Sequence, residues 1–298
     1  RAQIRLWFYA QLFMSVVLEG VAPYKKILAY EEVRDEKGNT MHKSKGNAIW
    51  FDDAVQKMGA DVMRWQYCSQ NPQFNLNFGY GPGKDIHRQL LIILNLASYV
   101  KQNCKNIGAD YSHDSASRWI LSRKERLVQN VTSSLETLEY HKAMDALRHF
   151  LLFDLSKTYV QFIRDDLEDT GVQKVLYDSY FTGITLLAPF LPFVSEKINL
   201  DVFQKESIHL EMWPKADESL IDGELEEGMS EFLLVLQGIM AARDKEKVNV
   251  RWPLEKAVIY LSEGHEKIAD KLQAFASLLL KQANLKDIQF VHTNAPFS

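Results

Sequence analysis

Residues 40–47 read TMHKSKGN, a short polar segment between an apolar stretch and an amphipathic one. Lysines at 43 and 45 alternate with small polar residues, so backbone N–H groups, Ser44 and an ammonium group can converge on a polyphosphate while Gly46 lets the loop close. The spacing does not fit the glycine-rich loop of P-loop enzymes, and a solvated turn carrying ordinary surface lysines uses the same residue types. Type and spacing alone leave both readings open. Other reactive side chains are sparse. His113, His141 and His149 are scattered without metal-ligand spacing and read as structural, so no metal site is expected. The paired acids Asp52–Asp53 and Asp165–Asp166 fall near helix ends, where capping and solvent account for them. Cys68 and Cys104 are too few for a disulfide framework or a Cys-rich zinc site, which fits a reducing cytoplasm.

The elements around the loop follow from periodicity. Leu6, Trp7, Ala10, Phe13, Met14 and Val17 share one face of a helix over 3–19, ended by the APY at 22–24. KKILAYEEVRDEKGN then reads as a strand and a turn, with Gly38 and Asn39 suited to positive φ. After the loop, Asp52 or Asp53 is expected to cap a helix with apolar positions Ala54, Val55 and Met58, stopped by Gly59. A Gly/Pro-rich hinge at 79–85 leads to helical patterns over 84–104, 117–139, 141–164 and 172–203, the last broken by Pro189 and Pro192. Trp119, Leu127, Val131, Leu135 and Leu138 line the second, and the short connections predict an antiparallel bundle. After a polar stretch at 213–224, a helix over 225–243 precedes AVIYL, a helix near 265–281 and DIQFV, the pattern of a small βαβ-like unit.

The bulk numbers bound the function. In 298 residues, 46% of them hydrophobic, there is room for about two domains with real cores, which excludes a disordered or fibrous chain. A formal charge of −4 excludes a protein that coats nucleic acid non-specifically but leaves room for a local basic face. No apolar run reaches the roughly 20 residues of a membrane span. The first residue is Arg1, followed at once by a helical pattern without a cap, so a piece of a longer chain is expected.

TMHKSKGN resembles the KMSKS signature of class I aminoacyl-tRNA synthetases, and its surroundings are similar to isoleucyl-tRNA synthetases over essentially the whole chain. Gln3, Arg5, Trp7, Phe8, Pro23 and Tyr24 match the segments that precede the signature in that family, and GADVMR at 59–64 matches one that follows it. SRWILSRKERL resembles the entry to the second helix of the anticodon-binding bundle, LAPFLPFVSEKI its Pro-Phe turn and SIHLEMWP its end. VNVRWPLEKAVI and ANLKDIQFV are similar to C-terminal segments of the family. Thr40 stands where the signature has its first lysine and His42 where it has its first serine, while Leu6 and Ala2 replace a family glycine and aspartate.

The resemblance implies an α-rich multidomain fold. Residues 1–78 would be the C-terminal part of a Rossmann-type α/β catalytic domain, 79–222 a helical anticodon-binding domain, and 223–298 a small α/β C-terminal junction domain. It implies ATP-dependent ligation of isoleucine to tRNA(Ile), with ATP and Mg2+ as cofactors, tRNA as partner, and neither membrane nor DNA involved. Lys43 would be the catalytic residue, with Met41, His42, Lys43 and Ser44 on ATP and Gln3 and Trp7 on the amino acid or ribose. For tRNA the expected contacts are Arg88, Asn95, Arg123, Lys124 and Arg251, in company with Arg118 and Arg126. Arg243, Lys245 and Lys247 would touch the tRNA stem or anchor a domain junction. The family's His-Ile-Gly-His motif and editing insertion are not in this sequence, so the 298 residues alone are expected to be inactive. A tRNA-binding paralogue without ligase activity, and a ligase for valine or leucine, fit the same residues.

Overall fold

The computed structural model describes residues 3–261 and 267–292. Helix α1 (Tyr9–Glu19) follows a wide π-type turn at Gln3–Phe8 and ends at Gly20, whose φ of 72° suits only a residue without a side chain. The expected apolar face is there, but α1 buries none of its residues. The strand expected from KKILAYEEVRD shrinks to β1 (Val33–Asp35), which pairs in parallel with β2 (Leu76–Phe78). Residues 25–32 lie outside both sheets, although the Glu31 N–H donates to the Pro72 carbonyl at 3.0 Å and the Glu32 carbonyl accepts the Leu76 N–H at 2.9 Å. Gly38 takes a positive φ of 81° as expected. Asn39 does not, and its N–H donates instead to the Asp35 carboxylate at 2.8 Å.

Helices α2 (Phe51–Met58) and α3 (Ala60–Cys68) are joined by Gly59 at φ 83°. Trp50, not Asp52 or Asp53, occupies the N-cap of α2; both acids sit in its first turn, where negative charge meets the positive end of the helix dipole. The stretch read as a hinge is already helical, because α4 (Tyr80–Asn103) begins at its second residue. Pro82 is tolerated there since first-turn N–H groups have no helical acceptor. Gly79 is required for a different reason: a Cβ at 79 would lie 2.8 Å from Cβ of Glu36.

Asp114 caps α5 (Ser115–Glu136) by accepting the Ser117 N–H, and the helix stops short of Leu138, which has a left-handed φ of 62°. Helix α6 (Tyr140–His149) widens into ten residues of π-type helix, Phe150–Tyr159, before α7 (Val160–Phe162). Asp169 caps α8 (Thr170–Leu187), and Pro189 and Pro192 separate it from α9 (Pro192–Ile198). Asp222 caps α10 (Gly223–Lys245), after which β3 (Leu254–Leu261), α11 (Lys267–Gln273), α12 (Ala276–Ala283) and β4 (Leu285–His292) form the expected βαβ unit with parallel strands.

The molecule is helix-rich with two small sheets. One apolar core runs from Val62 and Trp65 of α3 through the bundle to Phe232 of α10 and Leu272, Phe275 and Leu279 beyond it. It is continuous across residues 78–79 and 222–223. A smaller cluster of Ala54, Met63 and Phe78, with Val33 and Ile49 packed against it, anchors both ends of the TMHKSKGN loop.

Candidate functional site

The loop is built on one carboxylate. Asp35, the last residue of β1, accepts the N–H groups of Lys37 and Asn39 and, at 3.1 Å, the side-chain amide of Asn47. The bond from Asn39, with that from the Asn47 amide, holds the Asp35 carboxyl below the usual carboxylate range. Asn47 in turn donates to the Thr40 carbonyl at 3.2 Å and accepts the His42 N–H at 2.9 Å. Both arms of the loop are therefore tied to one side chain.

Between those arms, Lys43–Lys45 forms a single 3-10 turn closed by Gly46, whose φ of 68° reverses the chain. The side chains of His42, Lys43, Ser44 and Lys45 face solvent, and Met41 is half-buried. The Lys43 ammonium lies 4.5 Å from the centre of the exposed Trp50 ring, a cation–π contact that holds it over the mouth of the loop. Cationic side chains and free N–H groups on a fixed turn can take the oxygens of a polyphosphate. Among the described residues no group of three or more His, Cys, Asp or Glu side chains is placed to hold a metal ion, and no helix is long and apolar enough to cross a membrane.

Helix α3 locks this unit to the bundle. Arg64 donates to the carbonyls of Phe190 and Pro189 at 2.6 and 2.8 Å, and Asp61 accepts the Val194 N–H at 2.6 Å. Burial pushes the Asp61 carboxyl up, against the pull of the Val194 and Phe193 N–H groups and of Arg64. GADVMR and LAPFLPFV, read separately in the sequence, are thus two halves of one clamp.

The remaining expected site residues are spread over the molecule. Trp7 is 71% exposed. The Gln3 amide is engaged on both sides by the Tyr30 backbone, at 3.0 and 3.2 Å, and fixes the wide turn that carries Trp7. Arg88, paired with Asp85 at 3.0 Å, and Asn95 both face solvent on α4, and Arg251 is exposed ahead of β3. Arg123 and Lys124 depart from expectation. Arg123 bonds Asp154 at 3.0 Å and Glu226 at 3.2 Å, and Lys124 is buried beside Glu125 at 2.8 Å with its ammonium near the Tyr111 ring. Both cations answer acids inside the fold; Lys124 is buried, while Arg123 keeps 29% of its side chain exposed. Arg126 bonds Glu226 at 2.8 Å and Arg118 bonds Asp222 at 3.2 Å, so α5 is tied along its length to the start of α10. Arg243 anchors a junction: its buried guanidinium donates to the carbonyls of Asn249, Trp252, Ala283 and Asn284. Asp35, Asn47, Trp50, Asp61 and Arg64 are the residues that sequence reasoning passed over as site-builders. Asp61 and Arg64 lie inside a quoted motif, which was the available signal; for Trp50 there was none.

With this geometry in view, two family models account for most of the chain. One described as tRNA synthetases class I (I, L, M and V) matches residues 2–78, and one described as anticodon-binding domain of tRNA ligase matches residues 117–259. The chain belongs to the class I aminoacyl-tRNA synthetases. It is similar to the isoleucine–tRNA ligases of Methanopyrus kandleri, Methanosarcina mazei and Pyrococcus furiosus, at 31%, 33% and 32% identity over 96% of its length. It spans less than a third of those curated relatives, covering 28%, 29% and 28% of them. Among solved structures, the ternary complex of Agrobacterium radiobacter K84 agnB2 LeuRS with tRNA and LeuAMS shares the fold, with a TM-score of 0.64 at 17% identity over 99% of this chain and 37% of that one.

Proposed function

We propose that the chain is the phosphate-loop and tRNA-holding portion of an isoleucine–tRNA ligase. In that reaction the isoleucine carboxylate attacks the α-phosphate of ATP, giving a bound adenylate and pyrophosphate. The terminal ribose hydroxyl of tRNA(Ile) then attacks the adenylate carbonyl and releases AMP. Charge stabilisation is the protein's main task, because no protein nucleophile is needed.

Lys43 carries that charge to the departing pyrophosphate, Ser44 and the loop N–H groups bind oxygens, and Met41 and His42 set the approach. Magnesium arrives on the nucleotide phosphates and neutralises part of their charge. The chain's own acid nearest the loop, Asp35, is already committed to Asn39 and Asn47. Trp7 and Gln3 form part of the amino-acid or ribose side of the cleft, and Arg88, Asn95 and Arg251 meet tRNA phosphate or sugar. The segments 1–78, 79–222 and 223–298 act as catalytic, anticodon-binding and junction parts that share one core. Isoleucine is favoured over leucine and valine because the curated relatives named above are isoleucine–tRNA ligases over nearly all of this chain.

The observation that carries the reading is the solvent-facing Lys43 on a turn framed by Asp35 and Asn47, clamped through Asp61 and Arg64 to a bundle of the anticodon-binding family. In the full-length protein, Lys43→Ala is expected to slow isoleucine-dependent ATP–pyrophosphate exchange by about 10²- to 10³-fold, the loss typical of one charge-stabilising donor. An unchanged rate removes the assigned role. A second reading, a tRNA-binding paralogue without ligase activity, is favoured by one observation: Thr40 leaves the signature one lysine short. That reading predicts tRNA binding without exchange, whatever stands at 43.

A further inference from the structure

His149, Phe153 and Lys157 follow one another at intervals of four residues along the outer face of the helix that begins as α6, in the part that has widened to π-type geometry. The rings of His149 and Phe153 are stacked, 5.4 Å apart and 29° from parallel, and the Lys157 ammonium lies 5.6 Å from the Phe153 ring centre. This shelf is open: the His149 side chain is 54% exposed and Phe153 is 38% exposed. Beside it, Arg123, Arg126 and Asn130 of α5 and Lys142 and Asp145 of α6 line a cavity of 330 Å³ that His149 closes on one side, with the exposed Lys142 ammonium 2.6 Å from Glu139. Arg126 bonds Glu226 through Nε, at 2.8 and 3.0 Å to the two carboxylate oxygens.

An exposed phenylalanine alone is ordinary. A stacked, solvent-facing ring pair beside Lys157, opening on a cavity lined by Arg126, Asn130, Lys142 and one carboxylate, Asp145, offers what an unpaired nucleobase needs: a flat surface for the π-face, donors and an acceptor for the base edge and positive charge for the neighbouring phosphates. We propose that His149 and Phe153 form a stacking shelf for an unpaired base of an RNA loop, with Arg126 and Asn130 on its edge and Lys142 and Lys157 on the flanking phosphates. The proposal rests on the reading of tRNA as partner. It turns His149, which also lies 3.3 Å from the Asp154 carboxylate, from a structural histidine into a ligand-facing one.

The test uses the whole chain, a tRNA(Ile) transcript, and the anticodon stem-loop of that tRNA with 2-aminopurine in the loop. Phe153→Ala is expected to weaken stem-loop binding roughly 5- to 150-fold, the equivalent of one base stacked on an aromatic ring, and to abolish fluorescence quenching at one loop position. Phe153→Trp keeps both, and Lys157→Ala lowers the salt slope by about one phosphate contact. Unchanged affinity and quenching in Phe153→Ala, in a chain whose wild type binds tRNA, overturns the shelf and leaves the tRNA reading intact. A wild-type chain that binds no tRNA at low salt overturns both.

Discussion

In the proposed function Lys43 would meet phosphate with one fewer charged neighbour than the family signature supplies, because Thr40 stands where that signature opens with lysine. What compensates is placement: Asn47 fixes both arms of the loop, and Trp50 holds the ammonium at 4.5 Å from its ring, so less freedom is lost when a ligand binds. A second group of charges, inside the bundle, governs stability. Burial opposes charge on Glu226, but hydrogen bonds from Ser122, Arg126 and Arg123 outweigh it and leave its carboxyl below the usual range. A depressed folded pKa contributes stability that is present above the unfolded value, near pH 4.3, and is lost as pH falls through the folded one. Glu226→Gln is therefore expected to cost about 2–3 kcal/mol at pH 7, with the difference from wild type shrinking below about pH 4. Urea unfolding at the two pH values measures this, and a difference independent of pH would contradict it. Asp154 acts in the opposite sense, since burial raises its carboxyl and protonation at low pH relieves it. The position of Lys43 was legible in the sequence through its motif. The partners of Arg123 were not, because Asp154 and Glu226 lie 31 and 103 residues away and only the packed bundle brings them together.

At the scale of elements, apolar spacing announced most helices, whereas the caps were not read: Trp50 stands at the N-cap of α2, where Asp52 or Asp53 is expected. Asp114, Asp169 and Asp222 cap their helices through backbone N–H groups, and the prolines at 189 and 192 break α8 from α9. Three features escaped the pattern. Residues 25–32 have strand composition but lie outside both sheets, so β1 keeps only three residues. The Gly-Pro run at 79–85 looks like a hinge, yet first-turn positions accept both residue types and α4 starts there. The widening of the helix at Phe150–Tyr159 leaves no signature in the apolar spacing. The clamp of α3 on the corner between α8 and α9 is the element contact that matters most for function, because it fixes the loop-bearing unit against the bundle. Asp61→Ala leaves the Val194 N–H without its acceptor and is expected to cost about 1–3 kcal/mol. Hydrogen exchange should show faster opening of Val194 and of α3 together; unchanged protection of α3 would mean that the clamp does not couple them.

Across the whole molecule, one core joins parts that the family comparison treats as separate units. Phe232 of α10 packs on Phe162 at 5.4 Å and on Phe275 at 5.7 Å, while Lys281 reaches back from α12 to Asp166 at 2.7 Å. Arg243 closes the βαβ unit from within. Such continuity would let the TMHKSKGN loop and the proposed RNA-facing surface keep a fixed relation, which the proposed ligase function needs. The succession of long helices followed by a βαβ unit was readable from helical periodicity and turn residues. The fused core was not, because it depends on contacts between distant positions, from Phe232–Phe275 to Asp166–Lys281, that only packing brings together.

The account stands or falls on the reaction assigned to the full-length protein. The decisive measurement is ATP–pyrophosphate exchange with isoleucine, valine and leucine supplied in turn. The predicted result is exchange with isoleucine that exceeds the valine rate by about 10- to 200-fold in kcat/KM, the discrimination one methylene allows, and little with leucine. Exchange with none of the three, by a protein that still binds tRNA, would contradict the ligase assignment and leave a binding protein built on a synthetase frame.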